Sequence, residues 1–440
     1  AKAKRPGQEA LRLHPFYKGK IQVLPKCCIR DFQDFAIWYT PGVAEPCKEI
    51  KADPKKSWVH TNRSNTIAVL TDGTRVLGLG DIGPEASMPV MEGKGLLFKY
   101  LGGVDAVPIA LATKDPHEFI RAAHLLAPSF GGYNLEDIEQ PKCFYILDQL
   151  RKELKIPVWH DDQQGTAAVT VAGMINALRI KGIDKKKARI AMIGAGAAGI
   201  ATLRVLVNWG VDPGNIVMSD IYGIVHPERP DFEKQFEFTK DIVARTNREA
   251  RKSASVTDAI PTAMEGMDAC IAYSKPGPDT IRKEWIQRMN KDPIVFACAN
   301  PIPEIWPWEA KEAGALIVAT GRSDFPNQVN NSLGFPAIFR GTLDVNAKTI
   351  TDEMCIAAAE ELARVAADRG LDTERLIPTM DDWEGFPREA VAVGMKAIEQ
   401  GVARTKLTKE ELYQKSEGII KQARAMSAAL MKGGFIPMPE

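Results

Sequence analysis

Four carboxylates in two short stretches are the feature of this 440-residue chain best suited to chemistry. Glu136 and Asp137 stand in the segment NLEDI, and Asp161 and Asp162 follow the apolar run from Ile156 to His160. Between the pairs, Phe144, Ile146, Leu147, Leu150 and Leu154 recur at helical spacing. A helix and a returning strand therefore carry the second pair back toward the first. Crowded acids repel unless a cation neutralises them. Oxygen donors alone select a hard ion, so the expected metal is Mg²⁺ or Mn²⁺ rather than zinc, which prefers Cys and His. His160 adjoins the acids, but strand alternation directs it opposite to Asp161 and assigns it to structure.

A second feature handles phosphate. The run ARIAMIGAGAAG reads as a buried strand entering Gly194, Gly196 and Gly199, with Ala197 and Ala198 between the last two, and IATLRVLVNWG follows as a helix. Glycines at this spacing allow a tight turn, close approach of a pyrophosphate and close packing of helix on strand, while the helix amino end favours the anion. A further strand, NIVMSD, ends in Asp220, about 20 residues beyond the glycines, where an acid binds the ribose hydroxyls of a dinucleotide. Ile221, Tyr222 and Gly223 come next, with no Arg or Lys directly after Asp220, which favours NAD and leaves NADP possible.

Strands must hold these groups. The spacing predicts a strand from Asn65 to Leu70, a two-residue hairpin at Asp72 and Gly73 into RVLGLG, a helix after Gly93, and a strand ending near Thr113. The helix TAAVTVAGMINALRI then leads to later strands in DACIAYS, PIVFACA and ALIVATG. A polar loop, GRSDFPNQVNNSLGFPAIFRG, precedes two amphipathic tail helices near Asp352 to Arg369 and Lys409 to Lys432. The fold class is α/β, with a doubly wound parallel sheet for the dinucleotide. A chain of this length exceeds one core, so two domains and a cleft between them are expected.

Bulk composition narrows the partners. With 45% hydrophobic and 26% charged residues and net charge +1, the chain has no basic field for nucleic acid, which leaves a small molecule as the natural partner. No apolar run suits a membrane span, and AKAKRPGQEALRLH lacks a secretory stretch, so a cytoplasmic chain is expected. The seven cysteines are scattered without a C-x-x-C pair and read as reduced core thiols. The segment GPEASMPVMEGKG lacks phosphate-loop spacing, which excludes nucleoside triphosphate hydrolysis.

Seven segments in order resemble the short bacterial and archaeal malic enzymes: YTPGVAEPC, TDGTRVLGLGDIGPEASMPVMEGK, NLEDI, HDDQQGTAAV, GAGAAG, ANPIPEI and NQVNNSLGFPAIFRG. The resemblance implies oxidative decarboxylation of malate to pyruvate, without the phosphotransacetylase-like extension of some members. It implies Glu136, Asp137 and Asp162 as metal ligands, Lys94 as general base, Asp161 as the acid that orients it, and Tyr39 as general acid. Arg75 matches an arginine that pairs with a substrate carboxylate; Asn300 and Asn330 match amides that hold substrate and nicotinamide ribose, and Asn331 is able to exchange roles with Asn330. For the base role, the pKa of Lys94 has to fall toward neutrality. The resemblance also implies a first domain of residues 1–160 joined by 331–440, a dinucleotide domain of 161–330, and a homodimer or larger assembly. Two rival readings are a metal-independent dehydrogenase of another 2-hydroxy acid or amino acid, and an inactive nucleotide-binding regulator.

Overall fold

The computed structural model describes residues 5–322 and 324–439. Most strands are continuous apolar runs buried on both faces, the pattern of parallel sheets covered by helices on each side. One sheet holds β1 (Thr66–Thr71), β2 (Asp105–Ala110), β3 (Gly132–Leu135) and β4 (Val158–His160) in the order β2-β1-β3-β4. Its pairings are all parallel, with Ile67 facing both Ala106 and Gly132, and Leu135 facing His160. The other holds β5 (Ile190–Ile193), β6 (Ile216–Asp220), β7 (Gly223–Ile224), β8 (Ala269–Ala272), β9 (Ile294–Ala297) and β10 (Ile317–Thr320) in the order β10-β9-β8-β5-β6-β7, with only β7 antiparallel. Strand order reverses direction at β5, which opens a crevice at the carboxyl ends of β5 and β8, where such sheets bind ligands.

Helices α1 (Pro84–Gly102), α2 (Pro116–Leu126) and α3 (Lys142–Glu153) flank the first sheet. Next, α4 (Thr166–Lys181) is buried along most of its length and packs against α5 (Ala197–Trp209) of the second unit. Beyond the second sheet come α6 (Phe335–Asp344), α7 (Asp352–Asp368), α8 (Gly385–Glu399) and α9 (Lys409–Lys432). Both α6 and α9 return to α1, and one core there joins Phe98 and Trp159 to Phe335, Phe339, Val393 and Leu412. Glycines allow this approach: a Cβ at Gly102 would run into the carbonyl of Pro336, and one at Gly341 into that of Ala390.

Several sequence expectations need correction. The hairpin after β1 does not form: RVLGLG contributes only a single bridge, Val76 to Gly80. Buried Asp72 instead accepts from the Thr74 N–H and hydroxyl and pairs with Lys142, folding the chain into a loop. Helix α1 begins at Pro84, not after Gly93, because a proline in the first turn suits a helix start, so Lys94 lies mid-helix. The polar loop shortens, since Phe335–Asp344 is helical although Pro336 and Gly341 masked its pattern. Strand β3 was not anticipated, and α8 adds a third long tail helix to the two expected. Of the seven free cysteines, Cys27, Cys28 and Cys47 are exposed rather than in the core. No helix among the described residues is long and apolar enough to cross a membrane.

Candidate active site

Parallel pairing of β1, β3 and β4 brings the ends of these strands to one rim, and the acids follow directly. Glu136 and Asp137 leave β3, while Asp161 and Asp162 leave β4 in a wide π-type turn over Asp161–Gly165. Such turns recur at functional sites. Gly165 is needed there, because a Cβ would overlap the Asp161 carboxylate. Asp137 holds a positive φ of 55°, a conformation that tight turns favour in Asp and Asn. One oxygen each from Glu136, Asp137 and Asp162 lies within 4.8 Å of the others. The Asp137 N–H donates to Asp162 Oδ2 at 2.9 Å, Asn134 Nδ2 donates to Glu136 Oε2 at 2.8 Å, and Asp137 Oδ2 has no partner among the described residues.

Lys94 reaches this cluster from α1. It is only 8% exposed, with its Nζ bonded to Asp161 Oδ2, 3.2 Å from Glu136 Oε1 and 4.5 Å above the ring of Phe335. Asn331 Nδ2 donates to the same Asp161 oxygen, and Trp159 Nε1 donates to Oδ1 at 3.2 Å. Asp161 thus sits fully buried with three donors.

The charges respond as burial requires. Desolvation lifts Glu136 well above the usual carboxylate range against the pull of Lys94, and it raises Asp162. Burial, with Asp162 next, pushes Asp137 up to about 8. For Lys94, burial disfavours the ammonium, but Asp161 and Glu136 outweigh it and the net shift is upward. The fall expected of a base is therefore not supplied by the chain's own charges; it requires a further cation on the carboxylates. An unpartnered Asp137 oxygen within an all-oxygen set of three is a donor arrangement that a hard divalent ion fits. His160 is wholly buried, 3.7 Å from Asp162 Oδ2, and burial lowers its pKa to about 4, so it stays neutral.

The glycine loop follows the carboxyl end of β5. Gly194 adopts φ 108°, and a Cβ there would strike the carbonyl of Tyr273; Gly196 caps α5, and Ala197, Ala198 and Gly199 form its first turn. Gly78 of the first unit lies where a Cβ would sit 3.0 Å from the carbonyl of Asn300, so Asn300 meets the loop before α1. Asn330 bonds inward, its Oδ1 accepting from the Ser332 N–H at 3.0 Å, and its neighbour Asn331 is the amide that reaches the Lys94 pair. Arg75 is exposed, its N–H donating to the carbonyl of Asp137 at 3.0 Å.

Two of the expected site residues have surroundings that the sequence did not indicate. Asp220 is held within the chain: Arg229 Nη1 and Nη2 each donate to it at 2.8 Å, Gln235 Nε2 at 2.9 Å and the Tyr222 N–H at 2.8 Å. Four donors saturate a carboxylate, and the cation that sequence reading did not find beside Asp220 folds back from nine positions away. Tyr39 is 71% exposed, and no hydrogen bond or ion pair ties its side chain to the acids or Lys94. Phe335 beneath Lys94 and Trp159 beside Asp161 gave no chemical signal in sequence, because each reads as core.

Known proteins resemble this chain over most of its length. A model of the malic enzyme N-terminal domain matches residues 18–151, and one of the malic enzyme NAD binding domain matches residues 163–399. The chain belongs to the malic enzyme family. It is 48% identical to the bifunctional malic/malolactic enzyme of Bacillus subtilis, covering 93% of this chain and 97% of that protein. The NAD-dependent malic enzyme of Geobacillus stearothermophilus is 46% identical, over 88% of this chain and 78% of its own length. Among solved malic enzymes, that of Entamoeba histolytica superposes with a TM-score of 0.96 at 47% identity, covering 100% of this chain and 91% of its own. That of Pyrococcus horikoshii gives 0.91 at 47% identity, over 96% and 98%.

Proposed function

We propose that the chain oxidatively decarboxylates L-malate to pyruvate and carbon dioxide while reducing NAD or NADP. The observation that carries this reading is the meeting of Glu136, Asp137 and Asp162 beside the Lys94 and Asp161 pair. Relatives named as NAD-dependent and NADP-dependent malic enzymes support it and leave both dinucleotides open.

Glu136, Asp137 and Asp162 would hold Mg²⁺ or Mn²⁺, which when bound supplies a Lewis acid for the charge that develops as carbon dioxide leaves. Lys94 takes the proton of the carbon 2 hydroxyl, and Asp161 and Asn331 position its amine. Arg75 pairs with a substrate carboxylate, for which a planar guanidinium offers two parallel hydrogen bonds. Asn300 and Asn330 hold substrate and nicotinamide ribose. The loop at Gly194, Gly196 and Gly199 would seat the pyrophosphate of a dinucleotide, which when bound supplies the hydride acceptor. Tyr39 returns a proton to carbon 3.

Tyr39 acts in the cleft of a second copy. It stands on an arm where Val23, Phe32, Ile37 and Trp38 are also exposed, a set of side chains that a subunit interface would cover. The assembly is a homodimer or larger, and residues 1–160 with 331–440 form the catalytic domain around a dinucleotide domain of 161–330.

The test is an assay of malate with Mn²⁺ and each dinucleotide, following both reduced nicotinamide and carbon dioxide. Stoichiometric release of both, abolished by a chelator, is expected. Full turnover in chelator would favour the metal-independent dehydrogenase instead, and no carbon dioxide with either dinucleotide would leave only a nucleotide-binding protein.

A further inference from the structure

A cavity of about 590 Å³ lies outside the crevice, between the segment that follows β10 and the loop after α7. Phe325, Gln328, Arg375, Ile377, Pro378 and Asp381 are among the residues that line it. Most of its charges are spent within the chain. Arg369 is held by Asp382 and Glu384, Glu374 by Lys311, and the second Asp382 oxygen accepts from the Thr379 N–H and hydroxyl. Asn327 is also used up, since it bonds the carbonyls of Val318 and Thr373 and the N–H of Leu376.

Three groups remain. Gln328 is 8% exposed and its Nε2 has no acceptor among the described residues. The Arg375 guanidinium has its closest carboxylate, Asp372, at 4.0 Å, beyond hydrogen-bond distance, and otherwise only a long 3.4 Å bond to the carbonyl of Arg369. Asp381 is exposed and makes no ion pair among the described residues. A loosely held cation, an amide donor and an anion thus line this cavity together with the apolar Phe325, Ile377 and Pro378. A buried donor left without an acceptor is costly, and a ligand carboxylate would supply one. A dianion would suffer from Asp381, whereas a molecule carrying one charge of each sign meets both.

We propose that this cavity binds a free α-amino acid with a bulky apolar side chain: carboxylate to Arg375 and Gln328, ammonium to Asp381, side chain against Phe325 and Pro378. The site is separate from the catalytic acids, although Gln328 lies two residues before Asn330.

Calorimetric titration of the full-length chain with L-phenylalanine tests the assignment, with 3-phenylpropanoate lacking the ammonium and 2-phenylethylamine lacking the carboxylate. L-Phenylalanine should bind saturably at about millimolar concentration, and each truncated probe at least about tenfold more weakly. Arg375→Gln and Asp381→Asn should each weaken L-phenylalanine about tenfold while leaving the NAD dissociation constant and the melting temperature unchanged. Absence of saturable heat with L-phenylalanine up to about 10 mM overturns the proposal. So does 3-phenylpropanoate binding as tightly as L-phenylalanine, or an Arg375→Gln variant of unaltered affinity.

Discussion

Lys94 and Asn331 donate to one and the same oxygen, Oδ2 of Asp161, although α1 and the segment before α6 are separated by more than half of the chain. The amine is thereby fixed from two sides, through a carboxylate that is itself fully buried. Asn331→Ala removes one tether without removing the base. It should lower kcat on malate about 10- to 100-fold, the usual cost of misplacing a catalytic group by a fraction of an ångström, with little change in the NAD dissociation constant. Lys94→Ala should cost about 10³-fold or more and also spare dinucleotide binding. An Asn331→Ala enzyme with wild-type kcat would remove Asn331 from the positioning role.

The acid cluster makes stability depend on pH in a stated direction. Asp137 is pushed from an ordinary 3.8 up to about 8, first by burial and then by Asp162. A carboxyl raised in the folded state keeps its proton there more tightly than in the unfolded state. Its ionisation therefore costs stability progressively as pH rises from about 4 to about 8. Without added metal, the melting temperature of the wild type should fall relative to Asp137→Asn across that window, and Mn²⁺ should reverse the loss by binding only the folded form. Melting curves for both proteins at pH 5 and 8, with and without Mn²⁺, decide the point; parallel pH profiles would contradict it.

Metal affinity gives a separate test. Asp162 contributes an oxygen to the three-carboxylate set yet bonds neither Lys94 nor Asn331. Asp162→Ala should weaken Mn²⁺ at least about 10-fold by removing one of three charged ligands, measured by titration with dinucleotide absent. Unchanged Mn²⁺ affinity would place the ion elsewhere.

The parts of the fold legible in sequence were those set by local pattern. The buried strand before Gly194, the helix after it and α4 are nearly continuous apolar runs, while α7 and α9 carry apolar periodicity. What was hidden depends on contacts across the chain. The helix over Phe335–Asp344 looked like loop because Pro336 and Gly341 read as breakers, yet the glycine is there to admit the Ala390 backbone. Asp72 and Gly73 carried a hairpin signature, but no second strand was available to pair, and Lys142 drew Asp72 inward. At the candidate site, the acids could be matched by the spacing of a helix and strand, whereas Asn331, Trp159 and Phe335 become visible only once α6 folds back onto α1.

Asp220 and Arg229 form a buried pair that sequence order concealed. Because four donors already occupy Asp220, its carboxylate is expected to contribute little to the choice between NAD and NADP. Asp220→Asn should shift the ratio of kcat/KM for the two dinucleotides by less than about tenfold, while Arg229→Ala, which strands a buried charge, should destabilise the fold by about 3 kcal/mol. Steady-state kinetics and urea melts measure the two effects. A switch in preference beyond tenfold in Asp220→Asn would restore that residue as the selector.

The proposal that Tyr39 acts in a partner's cleft predicts an outcome that no single-chain arrangement gives. Tyr39→Phe and Lys94→Ala should each be nearly inactive alone, one lacking the proton donor and the other the base. When the two are unfolded together and refolded as an equal mixture, about half of the dimers carry one chain of each kind. If Tyr39 serves the other subunit, one cleft in each such dimer pairs an intact Lys94 with an intact Tyr39, so activity should return to about one quarter of wild type. If Tyr39 serves its own chain, every cleft keeps one defect and the mixture stays inactive. Sedimentation of the mixture at the assay concentration confirms that dimers have formed, so an inactive mixture of intact dimers would exclude sharing of the cleft between copies.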